Sequence, residues 1–167
     1  MTVFRSRLSR LTMMALLSAA IGAGTARAQQ APQISGFQAF LFNSKTGALS
    51  PDMLTMEQGL GNVPIGPFAS VSTFVVVKID FGPKQPVSAD AQIRLVAKEA
   101  ATPHARAATR VILDRRAKLG PVADDGTTHV GFWLAGTGCR NIALRATLTA
   151  GATSALKETA LPFICYE

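Results

Sequence analysis

Cysteine, histidine and the large aromatics are scarce in this chain, and each shortage narrows what it can be. Two cysteines in 167 residues are too few for a mini-protein built on disulfides. One Trp and one Tyr cannot supply the aromatic girdles of a membrane barrel. With two histidines, no Cys-x-x-Cys and no calcium-loop spacing, the sequence carries no metal-site motif, and no cofactor is expected. Gly-x-Ser-x-Gly is missing. The glycines of Gly59-Leu60-Gly61-Asn62 and Gly66 lack the Gly-Lys-Ser/Thr of a phosphate loop and read as loop geometry.

Long apolar runs are missing too, except near the start. Arg5, Arg7 and Arg10 precede an uncharged, mainly apolar run from Leu11 to Gly24, which is followed by Ala26-Arg27-Ala28. This order of charge, apolar stretch and small-x-small site predicts a secretory signal peptide, residues 1–28, cleaved after Ala28. The run is short for a membrane span and ends in glycines. Cleavage removes four of the 17 basic residues and none of the ten acids, so a +7 precursor becomes a +3 mature chain of 139 residues. The apparent hint of nucleic acid largely dissolves, and the expected location is the periplasm or the outside of the cell.

What is present is alternation. After a leader at 29–33, Ile34 to Phe42 is apolar and reads as a strand. Val71, Val75, Val77, Ile79 and Phe81 share one face of a second strand, with Lys78 and Asp80 on the other. Ile93, Leu95 and Ala97 alternate with Gln92, Arg94 and Lys98. Arg110 to Leu113 is rich in β-branched residues; Val130, Phe132 and Leu134 alternate with His129, Gly131 and Trp133. Ile142, Leu144, Ala146 and Leu148 form a further strand, and a last one is expected from about Leu156 to Tyr166, interrupted by Pro162. Ser50-Pro51-Asp52 resembles a helix start of one or two turns. The Ala-rich stretch 99–109 holds Pro103 and reads as a bent connection. Asp124-Asp125-Gly126 is a turn. The whole predicts one all-β domain over 34–167, an immunoglobulin-like antiparallel β-sandwich of about seven to nine strands.

Cys139 and Cys165 are symmetric about position 152, inside the small-residue turn 150–154. They are expected to close the open end of a C-terminal hairpin as a disulfide, contributing about 3.5 kcal/mol in the chain-entropy view. Strict pairing about 152 puts Leu161 and Phe163 on the face of Arg145 and Thr147, which a bulge near Pro162 would repair.

The charge is local. Arg106, Arg110, Arg115, Arg116 and Lys118, with Asp114, place +4 within 13 residues and leave −1 on the rest of the mature chain. This stretch is a candidate anion site for lipopolysaccharide, a cell-wall polymer or an acidic partner, with edge-strand protection as the structural alternative. The absence of aromatics among these cations speaks against nucleic acid. Trp133 lies opposite the core face of its strand; burial under a second layer is the commoner outcome, and an exposed anchor is the alternative. Together with His129 it is a candidate partner contact. The function expected is a non-catalytic binding module for an envelope component or protein partner. The alternatives are a small exported hydrolase using His129 or His104, and an anion-binding protein using residues 106–118.

Overall fold

The computed structural model describes residues 31–56, 70–100, 110–137, 141–161 and 163. The signal segment 1–28, the loop from Gly59 to Pro67, the connection bearing Pro103, His104 and Arg106, and both Cys139 and Cys165 lie outside the described residues. Among those described there are seven strands and no α-helix: β1 (Gln33–Leu41), β2 (Ser72–Asp80), β3 (Gln92–Glu99), β4 (Val111–Lys118), β5 (Thr127–Ala135), β6 (Ile142–Ala150) and β7 (Thr153–Leu161). They form two antiparallel sheets, β1-β2-β5 and β4-β3-β6-β7, arranged as a sandwich. The chain crosses between sheets after β2, β4 and β5, so that β2 pairs with β5 and β3 with β6.

Period two decides which side chains meet between the sheets. Val75, Val77 and Ile79 of β2 and Phe132 and Leu134 of β5 are buried against Ile93, Leu95 and Ala97 of β3 and Ile142, Leu144, Ala146 and Leu148 of β6. Val71 departs from the expected pattern: it precedes β2 and is half exposed. Thr73 takes the inward position instead, and its hydroxyl meets that of Thr137 at 3.3 Å. Two buried hydroxyls can satisfy each other, which is how the core tolerates polar groups there.

Residues 50–55 are turns rather than the expected helix start. Their polar groups are used along the open edge of β1. The N–H of Ala39 donates to Asp52 Oδ1 and that of Leu41 to Ser50 Oγ, both at 2.9 Å. In return, the N–H of Met53 donates to the Ala39 carbonyl and that of Ser50 to the Leu41 carbonyl. Ser and Asp side chains compete with helix geometry by bonding backbone groups, and here a strand edge needs those acceptors. Met53 is drawn beneath this edge and is fully buried.

The last hairpin is tighter than expected. Ala150 pairs with Thr153 around a two-residue turn, with Gly151 at φ +56° in its first central position. The pairing centre therefore falls between 151 and 152. Ile142 comes opposite Leu161, which faces the core without any bulge within β7. Further out, the N–H of Phe163 donates to Asn141 Oδ1 at 3.1 Å, one residue out of step with the ladder. β4 also runs beyond the expected Leu113 to Lys118, with a register shift near Ile112. As a half-exposed edge strand it has little apolar alternation to announce it.

Candidate functional site

The outer face of β1-β2-β5 carries an aromatic row. Register places Phe40, Phe74 and Trp133 side by side on three adjacent strands, all out of phase with the core residues. The Trp133 indole meets Phe42 edge-on at 5.3 Å between ring centres and Phe74 at 5.9 Å. Such aromatic pairs contribute about 0.5–1.5 kcal/mol beyond their area. The Phe74 ring covers Gly131: a Cβ built there would come within 2.4 Å of the ring. Gly131 thus lets the ring lie flat on the sheet. The expected burial of Trp133 is not what the fold provides. Phe42 and Phe74, both partly buried, are its ring contacts among the described residues, and 44% of it remains exposed. His129 is exposed on the same face, two outward positions along from the Phe74–Trp133 pair and opposite Lys78.

No carboxylate among the described residues hydrogen-bonds His129. Asp124 and Asp125 lie in the turn that their order with Gly126 predicts. The N–H of Gly126 donates to the Ala123 carbonyl at 2.9 Å. Asp125 Oδ1 accepts from the backbone N–H and the hydroxyl of Thr127 at 2.9 and 2.7 Å. Those bonds favour the charged form and hold the Asp125 carboxyl below its ordinary range. Among the described residues no three His, Cys, Asp or Glu side chains are grouped to hold a metal ion.

The basic stretch is split rather than gathered. Arg110, before β4, donates from Nε to Glu99 at 2.9 Å and from its terminal nitrogen to the Gly136 carbonyl at 2.7 Å. Because β4 continues through them, Arg115 and Arg116 point to opposite sides. Arg115 lies opposite the buried Leu95, in phase with the core side of the sheet, and is exposed. Arg116 and Lys118 lie on the outer face of the four-stranded sheet. Three cations far from this stretch in sequence join them there: Arg94 and Lys98 from β3 and Arg145 from β6. Their outward phase is legible in the alternation, but strand order is what brings them beside Arg116.

Asp114 organises this face. Arg94 grips it with two parallel bonds, Nε to Oδ1 at 2.7 Å and the terminal nitrogen to Oδ2 at 2.6 Å. The Arg94 hydrogen bonds, with further attraction from Arg94, Arg116 and Lys98, hold the Asp114 carboxyl below its ordinary range, and the same pair raises Arg94. Arg145 and Glu158 approach within 3.5 Å across β6 and β7. Between these pairs is a shallow depression of about 890 Å³ floored by Val96 and Ala143.

No protein-family model matches the chain, and no curated protein matches it. No helix among the described residues is long and apolar enough to cross a membrane.

Proposed function

We propose that this is an exported, non-catalytic interaction module that binds a protein partner of the cell envelope through the outer face of β1-β2-β5. Trp133 carries the reading: a lone tryptophan 44% exposed beside two phenylalanines is a ready anchor for a partner. The order of Arg5, Arg7 and Arg10, the apolar run and Ala26-Arg27-Ala28 supports export. The strand order supports an immunoglobulin-like Greek key, a frame that displays surfaces on rigid sheets. The Asn141–Phe163 hydrogen bond supports a Cys139–Cys165 disulfide, since Cys139 lies two residues before Asn141 and Cys165 two residues after Phe163.

Capture from envelope extract on immobilised protein tests the reading, with the captured partner then titrated in purified form. Trp133→Ser is expected to weaken that partner at least about 30-fold, as truncation of a central interface tryptophan does, and His129→Ala to weaken it less. A partner bound equally by wild type and Trp133→Ser would remove this face from the function.

A further inference from the structure

We infer that the outer face of the four-stranded sheet is a second binding surface, whose ligand is a linear anionic polysaccharide. Five cations project from it, Arg94, Lys98, Arg116, Lys118 and Arg145, against the two acids Asp114 and Glu158, an excess of three positive charges among the described residues. Edge protection accounts for cations on β4, the outermost strand. It does not account for Arg94 and Lys98 on β3 or Arg145 on β6, which are interior strands of this sheet.

Arg94 and Arg116 also occupy directly opposed positions, and like charges placed so destabilise a sheet. Asp114 gives both its oxygens to hydrogen bonds with Arg94 and reaches Arg116 only by longer-range attraction, so a bound anion would add a direct partner for Arg116. The cations run along the strands from Lys118, opposite Gln92, past the Arg94–Arg116 pair to Lys98. At the rise of an extended chain this is a track of about 20 Å. It borders the depression of about 890 Å³.

The shape selects among polyanions. A flat bilayer would span a depression without entering it, and the exposed large apolar residues on this sheet, Val111 and Leu156, are too few to insert. None of the described outward residues of β3, β4, β6 and β7 is aromatic, so nucleobases have no stacking platform. A narrow chain bearing repeated carboxylates, with sugar hydroxyls over Val96 and Thr147, fits both the track and its floor.

Titration calorimetry with polygalacturonate tests the inference, with uncharged dextran as control. Binding is expected at low salt and should weaken as salt rises. The triple change Lys98→Gln, Arg116→Gln, Lys118→Gln should lower affinity about tenfold, the order expected when three exposed ion pairs are lost. Arg115→Gln, one position away in sequence but facing the other side, should leave affinity unchanged, and Asp114→Asn should raise it. Thermal unfolding verifies that each variant is folded, and Arg116→Gln alone replaces the triple variant if that one is not. Equal affinity in the triple variant overturns the inference, and so does an equal loss in Arg115→Gln, which would make net charge the cause. Preference for phosphatidylglycerol vesicles or single-stranded DNA over polygalacturonate overturns it in favour of those ligands. Trp133→Ser leaves this binding intact if the two faces are separate, so failure here and failure of the aromatic face are told apart.

Discussion

At Gly126 a single hydrogen atom in place of a side chain holds two turns together. Its φ is +85°, and a Cβ there would lie 2.0 Å from the Gly82 carbonyl oxygen, a backbone atom that cannot swing aside. The Phe81 N–H also donates to the Gly126 carbonyl at 3.0 Å. Gly126→Ala is therefore expected to cost at least about 2 kcal/mol, combining left-handed strain with displacement of the 82–83 backbone; urea unfolding reads it directly. The Asp-Gly order announced the turn in the sequence, but the approach of Gly82 is a tertiary event that no local pattern announces. Asp114 gives a second prediction. Its folded pKa lies below the unfolded value, so it contributes stability above the ordinary carboxylate range and loses that contribution as pH falls through the folded pKa. Arg94→Gln should move the Asp114 carboxyl titration, followed by NMR, upward toward its ordinary value. An unmoved titration would mean that the bidentate pair is not what holds it down.

Among the elements, β1 has an edge finished by side chains. Ser50 Oγ and Asp52 Oδ1 accept the N–H groups of Leu41 and Ala39 where another strand would otherwise pair. Removing both acceptors, Ser50→Ala with Asp52→Ala, leaves two edge donors unserved. The expected loss is about 2–4 kcal/mol, seen as a lower urea midpoint at unchanged slope, with faster aggregation through the opened edge. The sequence suggested a helix here because the same residue types cap helices. Tertiary demand from β1 won. Strands with a buried face, β2, β3, β5 and β6, were legible because alternation is strict wherever one side is solvent. The apolar pattern announces only the start of β4, because an edge strand exposes both sides, and the register of β7 is hidden because one residue of turn geometry shifts the whole pairing. The candidate sites were legible only as halves: Trp133 without Phe42 and Phe74, and Arg116 with Lys118 but without Arg94, Lys98 and Arg145.

For the molecule as a whole, the two outer faces differ in chemistry, aromatic on the three-stranded sheet and cationic on the four-stranded one. The proposed Cys139–Cys165 disulfide is tested at this scale. If Cys139 and Cys165 are joined, thiol titration under denaturing conditions finds no free thiol, and reduction lowers unfolding free energy by about 3.5 kcal/mol; two free thiols would end that proposal. The Gly151–Ala152 turn has a consequence in time as well as in space. The β6–β7 hairpin closes over two residues, whereas β2 finds β5 only after Asp80 reaches Thr127 and Ser72 reaches Ala135. Hairpins of this kind form in about 1–10 μs, while distant strand pairings are slow. On the full-length chain the β6–β7 hairpin is therefore expected to close first, and the β2–β5 pairing of the sheet bearing Trp133 to follow it.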